Sequence, residues 1–267
     1  MRLFGTSLAL LSFSAVSSAQ FLRASSYASV STSSGNNFQT NEQNWVSASV
    51  GATLTRTANA TVGGGSSQTT FISGFGILKG STRASLNTSG IGFASSQGLF
   101  SAFSSFIGAS FYDTITLTGV GVVSLTINYS LHSVNTDPNG ETFAQTELKM
   151  ATFSTALGNS SPGAISHTGA GNRTDSGSIT VTGFAGQKFD LTGDLASLSS
   201  VNYTASSSGS ISAESDAMHT GSIWINPTSG GFTAASGSSY LAPVPEPMSL
   251  LVLGLGSGIL LRRRSRK

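Results

Sequence analysis

An all-β body, a β-sandwich or jelly roll, is the fold class this chain predicts, and three observations carry it. Val123, Leu125, Ile127, Tyr129 and Leu131 alternate with Ser124, Thr126, Asn128 and Ser130. Period two over such a run means a strand with one buried and one wet face. Several further short apolar runs are separated by Gly, Asn or Ser turns with no long helical pattern between them, the arrangement of a sandwich or jelly roll. Glycine is abundant at 32 residues, Ser and Thr hold most polar positions, and the helix formers Glu, Lys and Gln are scarce. Disorder is the competing reading of such a composition, but disordered chains are poor in aromatics and this one holds 16 Phe.

Taken in order, residues 20–44 are rich in Ser and Asn and read as a flexible leader that adds at most one edge strand; the β-sandwich domain is expected over 45–242. Trp45 to Leu54 alternates loosely and reads as a strand, and the glycines at 63–65 as a flexible loop. Phe71, Ile72, Phe75, Ile77 and Leu78 suggest a strand or a bulged pair. The phenylalanines over 91–107 come close to helical spacing, but the many serines weaken a helix there. Phe111 to Thr118, followed by Gly119-Val120-Gly121 and the alternating run, reads as a β-hairpin or two successive antiparallel strands. A polar turn at 137–141 leads to a strand through Ala144, Thr146, Leu148 and Met150, then a long loop over 158–175. Later strands are expected at 177–181, 187–191, 198–205, 209–213 and 221–226.

The two ends have a different character. Arg2 precedes an apolar stretch from Leu3 to Val16, and Ser17-Ser18-Ala19 offers the small side chains a signal peptidase reads, so residues 1–19 are expected to be a signal peptide cleaved between Ala19 and Gln20. At the other end Val244-Pro245-Glu246-Pro247 is followed by an uncharged run, Met248 to Leu261, and then by Arg262, Arg263, Arg264, Ser265, Arg266 and Lys267. That is the order of a membrane-held terminus with its basic end kept in the cytoplasm, although the greasy run is shorter than the roughly 17 to 25 residues of a comfortable span. The segment 243–267 resembles the PEP-CTERM sorting signal of Gram-negative bacteria that make extracellular polysaccharide. The resemblance implies a short C-terminal hydrophobic helix held transiently in the membrane and recognition by an exosortase-like processing protease. It also implies release to the cell surface, outer envelope or extracellular matrix, with exopolysaccharide as a partner. The run from Asp216 to Tyr240, with Ile223 to Asn226 and Gly230-Gly231-Phe232-Thr233, looks like the final strands of exported proteins of that group. The implied role is that of an exported, non-enzymatic surface or matrix protein. A carbohydrate-binding module, or a hydrolase using paired carboxylates, is the alternative.

Charge and composition narrow the chemistry. Between 20 and 242 stand seven Lys and Arg against ten Asp and Glu, a net charge near −3, so no basic stripe is present to neutralise phosphates and nucleic-acid binding is not expected. There is no cysteine, which removes disulfides, Cys-ligated zinc and cysteine nucleophiles. Asp137, Asn139 and Glu141 place oxygen ligands at alternate positions of a tight turn, a weak calcium candidate that is also an ordinary turn sequence. Asp190 with Asp194, and Glu214 with Asp216, are candidate acid–base pairs if they converge within glycosidase distance. His132, His167 and His219 lack metal spacing and read as lone surface or turn histidines, and the glycine clusters lack the lysine of a phosphate loop; no cofactor is expected. Trp45, Trp224, Tyr112, Tyr129, Tyr203 and Tyr240 are either core rings or a sugar-stacking platform.

Overall fold

The computed structural model describes residues 20–32, 35–46, 51–87, 92–98, 108–136, 142–154, 157, 162–203 and 210–241. Ala19, expected to precede the cleavage point, the turn residues Asp137, Asn139 and Glu141, and the tail with its Pro-Glu-Pro and basic residues lie outside that set. Among the described residues no helix is long and apolar enough to cross a membrane.

Fourteen strands make up the described body: Phe21–Thr32 (β1), Gly35–Val46 (β2), Thr53–Val62 (β3), Gly65–Gly74 (β4), Ile77–Asn87 (β5), Gly92–Gly98 (β6), Ala109–Thr118 (β7), Val122–Thr136 (β8), Thr142–Phe153 (β9), Gly163–Thr168 (β10), Gly171–Phe184 (β11), Lys188–Tyr203 (β12), Ser210–Ser229 (β13) and Gly231–Ala234 (β14). They form an all-β, two-sheet sandwich. The first sheet has eight strands, β10-β9-β12-β6-β1-β7-β14 with β2 on β1, and the second has six, β11-β8-β13-β5-β4-β3. Within the first sheet β6 and β7 lie end to end: the C-terminal half of β12 pairs with β6 and its N-terminal half with β7, and β1 divides in the same way.

Alternation builds the core. Along β8 every residue from Val123 to Leu131 with an odd number is buried while its even neighbours face outward. β9 repeats the pattern with Ala144, Leu148 and Met150 inside. The main apolar cluster joins these to Phe71, Phe111, Ile115, Phe189 and Leu195. A second, smaller cluster of Ala28, Val30, Ala58, Ala60, Ala84, Leu86, Val201 and Ala213 fills the other part of the interior.

Several local expectations are revised. The leader at 20–44 forms β1 and most of β2, with Leu22, Ala24, Ala28 and Val30 fully buried; small alternating residues made a sheet strand look like a polar leader. The glycines at 63–65 form a two-residue hairpin turn in which Gly63 and Gly64 have φ of 52° and 81°, the positive values a primed turn requires. Residues 92–98 are a strand, not a helix. The segment after Asp113 is no hairpin: β7 belongs to the first sheet and β8 to the second, so 119–121 carries the chain across the sandwich. The loop expected at 158–175 contains β10 and the start of β11, and the separate late strands merge into the long β12 and β13.

Tyr129 closes the β10–β11 side. Its ring lies between Gly163 and Gly177, where an added Cβ would sit 2.5 Å and 2.3 Å from its atoms. Gly177→Ala is therefore expected to lower stability by about 1–3 kcal/mol through overpacking. Urea unfolding in a Tyr129→Leu background checks the cause, because there the same change should lose most of its cost.

Candidate functional site, the outer face of the second sheet

The residues that β11, β8, β13, β5, β4 and β3 turn away from the core are largely hydroxyls and amides. Register aligns them across strands: Ser178, Asn128 and Trp224 occupy one row, and Thr180, Thr126 and Asn226 the next. Hydroxyl pairs tie neighbouring strands together on this face, Ser124 to Thr182 at 3.2 Å, Thr126 to Thr228 at 3.3 Å, Thr57 to Thr70 at 3.1 Å and Ser66 to Ser85 at 2.7 Å. His132 adds a bond of 2.7 Å between its Nδ1 and the Thr174 hydroxyl. Trp224 stands half-buried between the buried Ile223 and Ile225, so alternation sends its ring outward among these polar groups.

A shallow groove opens further along β13. Gln68, Thr70, Ser81, Arg83, Glu214 and Met218 line it. Arg83 lies opposite Gln68 on one side and Glu214 on the other. Beside the groove β13 is irregular: its register slips between Asp216 and Gly221 against β5 and between Asp216 and Thr220 against β8. Asp216 braces that bulge by accepting the Met218 amide at 2.8 Å. From Glu214, opposite Thr136, to Trp224, opposite Asn128, the sheet runs roughly 27 Å at the usual rise per residue.

The other aromatic candidates divide. Tyr129 and Tyr240 are core rings, 8% and 3% exposed. Tyr112 is half-buried on the outer face of the first sheet, where its hydroxyl bonds Asp190; burial first, then Asp190, pushes it above the ordinary tyrosine value. The side chains of Trp45 and Tyr203 lie outside the described set.

The two carboxylate pairs differ in spacing. Asp190 and Asp194 share β12 four residues apart, so they point the same way roughly 13 Å from each other along the strand, beyond the 5 to 9.5 Å or so of a glycosidase pair. Asp190 accepts the Thr114 hydroxyl at 2.9 Å. Burial pushes Asp194 up to about 7 against the opposing pull of Lys149 and Arg23. Glu214 and Asp216, two residues apart on β13 of the other sheet, stand roughly 7 Å from each other along the strand, inside that range, but the Asp216 carboxylate accepts the Met218 amide and Arg83 lies opposite Glu214. Among the described residues no group of three or more His, Asp or Glu is placed to hold a metal ion.

His167 is the constellation that sequence reading missed. It is 1% exposed rather than a surface or turn residue. Its Nδ1 meets the Ser133 hydroxyl at 2.6 Å and its Nε2 meets the Asp175 carboxylate at 2.9 Å. Ser, His and Asp in a chain invite comparison with a nucleophilic triad. Here Ser133 is fully buried between the sheets, so no substrate carbonyl reaches it from solvent. The alternation of Gly163, Ile165 and His167 inside against Ala164, Ser166 and Thr168 outside was the available signal.

Comparison with known proteins adds no relative: no family model, no curated protein and no solved structure matches the chain.

Proposed function

We propose that this protein is an exported, non-catalytic extracellular module that binds polysaccharide along the outer face of its second sheet. The observation that carries the reading is Trp224, an outward indole whose neighbours in the sheet, Asn128, Thr126, Asn226 and Ser178, carry hydroxyl and amide groups. An aromatic face covers the apolar side of a pyranose, and Asn128, Asn226 and Thr126 beside it supply hydrogen bonds to sugar hydroxyls. The groove at Arg83 and Glu214 offers a second contact point on the same strand. Their wide spacing suits an extended polymer and leaves a free monosaccharide touching only one of them. Export through a signal peptide cleaved before Gln20, and handling by an exosortase-like protease at the PEP-CTERM-like tail, would place the module where such polymers are made. The separation of Asp190 from Asp194 supports the non-catalytic reading.

Affinity electrophoresis through gels containing neutral and uronic-acid polysaccharides tests this. Retardation is expected for the native protein, and Trp224→Ala should weaken it about tenfold or more, the loss typical of a central aromatic anchor. Ser166→Ala, on β10 of the other sheet, should leave it unchanged. Unretarded migration in every polysaccharide would end the binding reading.

A further inference from the structure

The outer face of the first sheet carries a row of a different kind. In the register of β9, β12, β7 and β1, Lys149 lies directly opposite Asp194, Asp194 opposite Ser110, and Ser110 opposite Arg23. Directly opposed side chains on one face have Cβ atoms about 4.5–5.5 Å apart, within the reach of a lysine stem folding over an aspartate carboxyl. Lys149 Nζ also stands 3.0 Å from a carboxylate oxygen of Glu147, two residues back on the same face. Ser110 and Thr192, each 8% exposed, flank the half-buried Asp194.

We propose that Lys149 and Asp194 are joined by an intramolecular isopeptide bond, Nζ to Cγ, which the folded protein forms on itself with Glu147 as proton acceptor. Three requirements meet here. The amine must lose its proton, and the Glu147 carboxylate is in contact to take it. The electrophile must be a neutral carboxylic acid, and burial holds Asp194 protonated to about pH 7. The two groups must be held together, and adjacent strands do that permanently, replacing a bimolecular condensation by an intramolecular one.

The step balances without an oxidant or cofactor. The Lys149 ammonium gives one proton to Glu147; the free amine attacks the Asp194 carboxyl carbon. The C–N bond forms, the C–OH bond breaks, and the second amine proton leaves with the hydroxyl as water. Glu147 returns its proton to solvent. Arg23, whose charge acts on Asp194 from the opposite side, stabilises the oxyanion that develops on the carboxyl oxygen. The 44% exposure of the Lys149 side chain gives the departing proton and water a way out.

The bond would close the excursion from 150 to 193, which contains β10 and β11, in a chain that has no disulfide to do so. Closing a long loop constrains the unfolded chain.

Intact-mass spectrometry of the folded full-length protein decides the matter. The native protein should be lighter than its own sequence by one water, and its tryptic digest should contain a branched peptide joining the segments around Lys149 and Asp194. Lys149→Arg and Asp194→Ala should show the full sequence mass, and Glu147→Gln should react at least tenfold more slowly. Asp194→Asn should still react, losing ammonia in place of water, an outcome no ordinary ion pair produces. Full sequence mass in the native protein after prolonged incubation at pH 7, with Lys149 and Asp194 recovered in separate linear peptides, would overturn the proposal and leave the two as a cross-strand charge pair only.

Discussion

Asp113→Ala is expected to destabilise the body by about 3–5 kcal/mol, the range for removing one partner from a buried, fully bonded charge. Asp113 sits on the inward side of β7 with no exposed surface. One carboxylate oxygen accepts the amides of Thr114 at 2.9 Å and Ser236 at 3.0 Å. The other accepts the hydroxyls of Ser236 and of Tyr240, the latter at 2.9 Å. The carboxylate thus fastens the segment after β14 to the sandwich, and the Tyr240 ring completes the fastening 5.9 Å from Phe111. Alanine leaves the Ser236 and Tyr240 donors buried without an acceptor. Tyr240→Phe removes a single donor while the carboxylate keeps its other partners, so its cost should be about 1–2 kcal/mol. Urea unfolding of the two variants should preserve that order; equal midpoints would mean that the segment after β14 contributes no more than its apolar contacts. The same site sets an alkaline limit. Burial first, then the charge and hydrogen bond of Asp113, hold the Tyr240 hydroxyl well above its ordinary value. The unfolded chain therefore releases this proton first, and stability falls as pH climbs past about 10, the ordinary tyrosine value. Tyr240→Phe should flatten part of that decline, with the remainder belonging to Tyr112, whose hydroxyl is also raised.

How far the sequence discloses such arrangements depends on whether a strand advertises its inner face. β8 and β9 do, because large aliphatic residues alternate with polar ones, and both are plain from the letters alone. β1 does not: its buried side is Leu22, Ala24, Ser26, Ala28 and Val30, too small and too polar to contrast with its outer side. Trp224 stood out as a candidate ring, but only the register of β13 places it on the wet face with Asn128 beside it. The Lys149–Asp194 row is invisible for a related reason. The partners are separated by two strands of sequence, and nothing local states that β9 and β12 are neighbours. Ser and Thr are the hardest to place, since a hydroxyl suits an outer face or an interior where it finds an acceptor. This chain puts them on both.

The interior hydroxyls form a belt between the two apolar clusters, and Asn135→Ala should be the most damaging single change within it, at about 2–4 kcal/mol. Asn135 projects inward from β8, 4% exposed. Its amide donates to the His167 carbonyl at 3.0 Å, and its carbonyl accepts the hydroxyls of Thr146 at 3.1 Å and Ser215 at 3.0 Å. Ser215 continues the chain by accepting from Ser197 at 2.8 Å, and the Ser197 and Ser199 hydroxyls meet Thr82 at 3.1 Å and 2.8 Å. These bonds run from one sheet to the other: Asn135, Ser215 and Thr82 belong to the six-stranded sheet, and Thr146, His167, Ser197 and Ser199 to the eight-stranded one. A buried hydrogen bond contributes little net stability while both partners are present, but an abandoned partner costs about 1–3 kcal/mol. Alanine at 135 abandons the His167 carbonyl outright and removes an acceptor shared by two hydroxyls, which retain each other. Thr82→Val, at the end of the belt, leaves Ser197 bonded to Ser215 and Ser199 bonded to the Thr82 carbonyl, so it should cost clearly less. Chemical denaturation of both variants tests the ordering. If Thr82→Val proves as harmful as Asn135→Ala, the belt is a set of independent pairs, and the sheets are held together by their apolar clusters alone.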